Sequence, residues 1–184
     1  MSSKTLVIRP ATPTDDEAVG EVLVAAFVTA YGKKMPDVVV TEARKDELRR
    51  TAHKREQALV LVADVAGRVV GSVTLFRPGA EASEAWLPGA ADLRHLATHP
   101  DFHGQGFSRA LMDEAETAAR SWHVPSICLH VRRGVAGVAR LYLSRGYVRD
   151  PSGDFLKPGS PPVALEGYVL QLEPTRGELT VPTG

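Results

Sequence analysis

Residues 96–111, LATHPDFHGQGFSRAL, are the most informative part of this chain. The apolar start has the character of a β-strand and stops at Pro100. A short loop then brings Gly104 and Gly106 directly before a helical pattern. The first N–H groups of a helix lack intrahelical acceptors and carry roughly half a positive charge. Because glycine also lets a ligand approach the backbone, this order predicts a site for a phosphate or pyrophosphate.

Two common phosphate-binding motifs do not match this stretch. A P-loop requires Lys and then Ser or Thr after its glycines, and no such pair follows Gly106. A dinucleotide fingerprint requires a third glycine where Arg109 stands, and it follows the first strand of its unit. A different α/β nucleotide binder is therefore a disfavoured alternative.

The stretch resembles the acetyl-CoA signature of the GNAT superfamily of N-acetyltransferases, Gln/Arg-x-x-Gly-x-Gly/Ala after a strand that ends in an x-Pro step. His103 takes the position of Gln or Arg, and Ser108 that of Gly or Ala; both side chains can donate a hydrogen bond to phosphate. The resemblance implies that acetyl-CoA is the co-substrate and that its contacts include Leu96, Ala97, Thr98, His103, Gly104, Gln105, Gly106, Phe107 and Ser108.

A second block, VAGVARLYLSRGY at residues 135–147, resembles the other hallmark of the same superfamily. The positions that match are Ala139, Leu141, Tyr142, Gly146 and Tyr147. The usual Asn three residues before Ala139 is Ala136 here. The resemblance implies that Ala139 contacts the cofactor and that the Tyr142 hydroxyl faces the CoA sulfur.

The pattern along the chain predicts an α/β protein with one mixed sheet flanked by helices, as the GNAT-like acyl-CoA N-acyltransferase fold requires. Thr14 is predicted to cap a first helix, and a second helix is predicted over 41–55. Two β-branched runs joined at Ala66-Gly67 predict a hairpin. Further strands are predicted at 5–10, 92–98, 126–131 and 163–172, helices at 107–122 and 135–144, and loops at 33–37, 78–90 and 154–162.

Length and composition limit the function classes. The 184 residues predict one domain over 1–184, with about 173–184 as a loose C-terminal tail. A formal net charge of zero argues against a nucleic-acid partner. No apolar stretch is long enough for a membrane span or a signal peptide. The single cysteine, Cys128, is expected to be a small buried residue, and a cytoplasmic location is expected.

The resemblance implies direct attack of an amine on the acetyl thioester, with the Tyr142 phenol as the acid for the departing thiolate. Tyr142 can instead be an aromatic packing anchor. Candidates for the base are Asp92, His95 and a chain of waters, since the amine must lose a proton. Glu81 and Glu84 are expected to add a shallow acidic patch for a cationic amine.

Other residues receive plainer interpretations. His95, His99 and His103 recur every four residues, but Pro100 and the glycines place them on strand and loop, so no metal site is predicted. The basic residues Arg132, Arg133, Arg140, Arg145 and Arg149 are expected to be a solvated face. Trp86, the 154–162 loop, Phe27 and Tyr31 are possible walls of an acceptor pocket.

Two functions remain open. The first is an acetyl-CoA-dependent N-acetyltransferase acting on a small-molecule or peptide amine; the second is a catalytically silent CoA-binding sensor or partner module. Retention of Tyr142 favours the enzyme, and the changes at His103 and Ala136 keep the module under consideration. The sequence is compatible with a homodimer and does not identify the acceptor.

Overall fold

One mixed β-sheet organises the residues that the computed structural model describes, which are 5–34, 39–159 and 162–172. Its strands are β1 (Leu6–Pro10), β2 (Ala58–Val65), β3 (Arg68–Phe76), β4 (Ala91–Thr98), β5 (Ser126–Arg132), β6 (Val148–Arg149), β7 (Phe155–Lys157) and β8 (Val163–Gln171). The helices are α1 (Asp16–Lys34), α2 (Glu42–Arg49), α3 (Thr51–Gln57), α4 (Phe107–Ser121) and α5 (Ala136–Leu143).

The strand order is β1-β2-β3-β4-β5-β8-β6, and β7 pairs with β8 outside this path. Neighbours are antiparallel except for β4 and β5, which run parallel. The predicted α/β class, with a mixed sheet flanked by helices, is confirmed.

Apolar side chains fill both faces of this sheet. On one face the largest cluster joins α4 to the strands, with Leu111, Met112, Ile127 and Leu75 fully buried. On the other face Val19, Val22 and Leu23 of α1 pack with Leu48 of α2 against the sheet. A small third cluster places Trp86 near Cys128, which is buried as predicted.

The first helix begins differently from the prediction. A 3-10 turn at Pro13–Asp15 precedes α1, and Thr12 rather than Thr14 is its N-cap. The Asp15 carboxylate accepts the Thr12 N–H at 2.7 Å and an Arg9 guanidinium N–H at 2.7 Å. Both bonds favour the charged carboxylate, so they hold the pKa of Asp15 well below its usual range.

The predicted helix over 41–55 is two helices. The backbone leaves the helical region at Arg50, where ψ is 53°, and α3 starts afresh at Thr51. The Lys54 ammonium donates to the Leu48 carbonyl at 2.7 Å and so satisfies an acceptor at the end of α2.

Three further predictions differ from the structure or cannot be compared with it. The 154–162 loop contains strand β7, and residues 160–161 lie outside the described part. Helix α1 continues through Lys34 into the predicted 33–37 break, and 35–38 are not described. The predicted tail at 173–184 also lies outside the described residues.

Candidate active site

The glycine turn before α4 is open to solvent, as the sequence predicts for an anion site. Gly104 and Gly106 both adopt left-handed backbone angles, with φ of +77° and +81°. A Cβ added to either glycine would meet nothing within 4 Å. The N–H of Ala110 bonds to the Gly106 carbonyl, so the N–H groups of 107–109 precede the first helical hydrogen bond. These donors can bind an anion at the positive end of α4.

Side chains tie this turn to the end of β4. The hydroxyl oxygens of Thr98 and Ser108 lie 2.9 Å apart. The His103 Nε2 lies 3.0 Å from the Thr98 carbonyl, and because a carbonyl only accepts, that nitrogen donates. The Nε2 proton of His103 is therefore used within the protein and is not free for a phosphate.

A cavity of about 340 Å³ lies in front of the turn. Arg109, in the first turn of α4, lines it and adds a cation that the sequence analysis had not assigned to the cofactor. The lining comprises Thr98, Phe102, His103, Gly104, Gly106, Phe107, Ser108, Arg109 and Leu141. Gln105, predicted as a contact, is not among these residues.

The parallel strands β4 and β5 separate immediately after the short segment over which they are paired. They are paired only from Ala91 to Leu93 and from Ile127 to Leu129. Beyond this point β4 contains a bulge against β3, where the register passes from Arg94 opposite Thr74 to Ala97 opposite Ser72. His95, inside the bulge, has a φ of +55°, which is uncommon for a residue with a side chain. The divergence leaves room for a ligand between two strands of one sheet.

A second cavity, of about 470 Å³, occupies this divergence. It shares Thr98, His103, Ser108 and Leu141 with the cavity of the glycine turn, so the two form one continuous cleft. Among the predicted site residues it is also lined by Leu96, Ala97, His95 and Tyr142. Ala139, predicted as a cofactor contact, packs against the core and is not in the lining. Phe27 of α1 forms part of the opposite wall; the side chain of Tyr31 is not described.

Tyr142 lies at the junction between core and cleft. Its ring is 6% exposed and meets the Tyr147 ring at a centroid distance of 5.6 Å, nearly edge to face. Burial raises the pKa of the Tyr142 phenol, so the hydroxyl stays protonated at neutral pH. It can therefore donate a proton or a hydrogen bond into the cleft.

Asp92 lies behind the cleft and is not part of its lining. The residue is fully buried and accepts the Glu84 N–H at 2.7 Å. Its other oxygen has no hydrogen-bond partner within the described part of the chain. Burial is the largest influence on this group and raises the pKa of Asp92 to about 6. The structure thus places Asp92 under the 77–90 loop rather than in the lining of the cleft.

Ion pairs replace the expected acidic patch. The Glu84 carboxylate accepts from Arg94 at 3.1 Å and from Lys157 at 3.4 Å. Burial, followed by the cations Lys54, Arg94, Arg44 and Lys157, lowers the pKa of His95 well below its usual value. The predicted acidic patch of Glu81 and Glu84 is wrong at Glu84, which is already paired with cations, whereas Glu81 is exposed.

Three histidines line the cleft, His95, His103 and His130, and the sequence analysis identified the first two. His130 of β5 lines it together with His95. Its ring lies 4.9 Å from the Trp86 ring and 4.8 Å from the Phe155 ring, measured between centroids. Trp86 and Phe155 thus pack against His130, but neither Trp86 nor the described part of 154–162 lines the cleft, so the structure does not place them as the predicted pocket walls. A lone histidine within the run SICLHV carries no local signal of this contact.

The predicted solvated basic face is wrong for Arg145. Its guanidinium bonds both Glu116 oxygens, at 2.9 and 2.8 Å, and Asp113 at 2.6 Å. This set of bonds joins α4 to the end of α5 and fixes the helix that holds Tyr142. Arg149 is likewise paired with Asp154.

The three histidines at four-residue spacing do not converge on one point. His99 Nδ1 accepts the Asp101 N–H, His103 bonds to Thr98 and His95 faces the cleft. Within the described residues no group of three His, Cys, Asp or Glu side chains has the arrangement of a metal site. None of the described helices is long and apolar enough to cross a membrane.

Comparison with known proteins identifies the family. The family model described as "Acetyltransferase (GNAT) domain" matches residues 56–149, just over half of the chain, and the chain belongs to this family. A curated relative, Acetyltransferase YE1169 of Yersinia enterocolitica, is 33% identical over 89 residues. That match covers 48% of this chain and 57% of the relative, so it spans little more than half of that protein's length.

Solved structures agree on the fold over nearly the whole chain. The ribosomal-protein-S18-alanine N-acetyltransferase of Escherichia coli superposes with a TM-score of 0.68 at 17% identity and covers 96% of this chain and 99% of its own. The yncA structure from Salmonella typhimurium, which contains its cofactor acetyl-CoA, has a TM-score of 0.63 at 19% identity, with coverage of 96% and 99%. At such identities these likenesses show the GNAT fold.

Proposed function

We propose that this protein is an acetyl-CoA-dependent N-acetyltransferase that acetylates a primary amine of a small molecule or a peptide. The observation that supports this most is the cleft, which runs from the glycine turn to Tyr142. A pyrophosphate fits the turn because both glycines leave it open and the N-terminus of α4 faces it. The thioester then lies where β4 and β5 diverge.

In the proposed reaction each end of the cleft has its own task. The N–H groups at the start of α4 and the Arg109 guanidinium bind phosphate charge. The amine attacks the thioester carbonyl, the C–N bond forms and the C–S bond breaks. Tyr142, which its raised pKa keeps protonated at neutral pH, donates a hydrogen bond and then a proton to the departing thiolate.

The amine must lose a proton before it attacks. His95 faces the cleft, but its pKa is lowered by burial and by surrounding cations. Asp92 is separated from the cleft, and we propose that it positions the 77–90 loop through the Glu84 N–H. This separation favours a base other than Asp92.

The direct test is release of free thiol from acetyl-CoA in the presence of tyramine, spermidine, L-lysine or a peptide with a free α-amino group. Turnover with one of these amines supports the proposal. Binding of acetyl-CoA without turnover of any amine refutes it and leaves the silent cofactor-binding module.

Tyr142→Phe tests the proposed acid. We expect kcat to fall about 100-fold or more, while acetyl-CoA affinity and thermal stability change little. Tyr168→Phe is a matched control, since Tyr168 is also 6% exposed but does not line the cleft. Equal kcat in wild type and Tyr142→Phe, with the chemical step rate-limiting, would remove Tyr142 from this role.

A further inference from the structure

Helix α5 carries the proposed acid but is a short and sparsely anchored element. Tyr142 is the only buried residue among its 8, and its N-cap, Val135, makes no side-chain capping bond. None of the described residues bonds to the Tyr142 hydroxyl, so the position of that hydroxyl depends on ring packing and on the backbone of α5. What holds the end of α5 therefore also holds the acid.

Arg145 ties the C-terminal end of α5 to α4. Its Nε and one terminal nitrogen donate to the two Glu116 oxygens at 2.9 and 2.8 Å, a bidentate arrangement that fixes direction as well as distance. The same terminal nitrogen donates to Asp113 at 2.6 Å. The Arg145 and Glu116 side chains are 13% and 8% exposed, so water competes little for their bonds.

One tight turn connects Arg145 to the acid. The Arg145 N–H donates to the Tyr142 carbonyl at 2.9 Å, and the Tyr147 N–H donates to the same carbonyl at 3.2 Å. Gly146 lies between them with a φ of +93°, and the Tyr147 ring returns against the Tyr142 ring. Because Tyr147 is itself buried in the core, a shift of the Arg145 guanidinium is passed on to the Tyr142 ring.

Arg145 also balances a buried charge beside the two tyrosines. Burial is the largest cause of the raised pKa of Tyr147; the Glu116 carboxylate raises that pKa further, and the Arg145 guanidinium opposes it. Loss of Arg145 would leave the Glu116 carboxylate buried without its cation. Its rehydration would then displace the end of α5.

We propose that Arg145 is a positioning residue for the transfer step, because its bidentate bond to Glu116 holds the Tyr142 hydroxyl where it meets the departing thiolate. This inference rests on the proposed acetyltransferase function with Tyr142 as the acid. Neither Arg145 nor Glu116 lines the cleft, so their effect on the reaction passes through Tyr142. Glu116 lies on α4, and a single helix thus supports both the phosphate site and the acid.

The first test is Arg145→Gln, assayed with whichever amine of the panel the wild type acetylates best. We expect kcat to fall about tenfold or more, since a displacement of about 1 Å at a reacting group can cost about 100-fold. The Kd of acetyl-CoA should change less than about threefold, because the variant removes an interaction that matters in the transition state. Wild-type kcat in a folded Arg145→Gln protein would overturn the proposal.

A double-mutant cycle with Tyr142→Phe separates positioning from general support of the fold. If Arg145 acts through the Tyr142 hydroxyl, Arg145→Gln should lower kcat less than about twofold once that hydroxyl is gone. Its effect on Tm should be the same in both backgrounds. An equal loss of kcat in the two backgrounds would overturn the proposal, as would wild-type kcat in Tyr142→Phe.

Arg55→Gln is a matched control. Arg55 of α3 also makes a bidentate pair between two helices, with both Asp16 oxygens of α1 at 2.6 Å, and it does not line the cleft. We expect this variant to have a lower Tm and a kcat within about twofold of wild type. A loss of kcat equal to that of Arg145→Gln would show that kcat follows stability, which would refute a positioning role.

The double variant Arg145→Leu/Glu116→Leu covers the case in which Arg145→Gln does not fold. It leaves no buried charge unpaired, and apolar pairs often replace buried ion pairs without loss of stability. Since an apolar contact has no preferred direction, we expect a Tm near that of wild type and a kcat lower by about tenfold. Wild-type kcat in this variant would overturn the proposal. A wild-type protein that binds acetyl-CoA but acetylates no amine would instead refute the acetyltransferase function.

Discussion

Gly106→Ala, compared with Gly67→Ala, separates backbone strain from loss of ligand space. The two glycines have nearly equal φ values, +81° and +83°, and an added Cβ would touch nothing within 4 Å at either position. A left-handed residue with a side chain costs roughly 1–2 kcal/mol, so both variants should lose similar free energy of unfolding. For a chain of this size that corresponds to a Tm lower by about 2–8 °C.

Acetyl-CoA binding should distinguish the two variants, because only Gly106 lies in the cleft. Isothermal calorimetry should give a Kd at least tenfold weaker for Gly106→Ala, a loss of about 1.4 kcal/mol, and an unchanged Kd for Gly67→Ala. Gly106→Asn is a third arm, since Asn tolerates left-handed angles better but still fills the space. Normal binding by Gly106→Ala would refute the placement of the pyrophosphate at this turn.

Two further substitutions test the supports of the cleft. The folded-state pKa of Asp92 is raised from 3.8 to about 6. The stability that comes from tighter proton binding in the folded state is therefore fully present below pH 3.8 and is lost as the pH rises through 6. Asp92→Asn should therefore raise the free energy of unfolding by up to about 3 kcal/mol at pH 7.5 and by much less at pH 3.5. Urea denaturation at the two pH values measures this difference, and an equal effect at both would contradict the argument. Gly153→Ala should lower the free energy of unfolding by about 1–3 kcal/mol, because its methyl group would overlap the Trp86 ring. Gly32→Ala in α1 has open space around the added methyl and should not destabilise the protein. An unchanged Tm in Gly153→Ala would contradict the packing argument.

The fold and the glycine turn could be predicted because their signals are local. Gly67 of the hairpin turn and the two glycines before α4 belong to short motifs whose left-handed backbone angles favour glycine. The break at Arg50 has no such signal, because it depends on Lys54 reaching back to a carbonyl. The helical periodicity of residues 41–55 is the same whether they form one helix or two.

The residues around the cleft show where sequence reasoning reaches its limit. The sequence analysis names Asp92 and His95 as candidates for the base because the attacking amine must lose a proton. His130 depends on contacts across 23 residues to Gly153 and on Trp86, whose own bond to Asp150 spans 64 residues. Periodicity and spacing contain no information about such distant partners, so this histidine was missed.

The bulge at His95 constrains the length of β4 more tightly than its composition. Before the bulge, the odd-numbered residues Ala91 and Leu93 pack on the α4 side of the sheet; after it, Ala97 packs on the α1 side. The extra residue therefore exchanges the two faces halfway along the strand. Deleting His95 would restore simple alternation and leave Thr98 opposite Gly71 on the side of Ser108, whereas one more inserted residue would turn Thr98 away. Insertions between Arg94 and Thr98 should consequently be excluded more strictly than loss of the bulge residue itself.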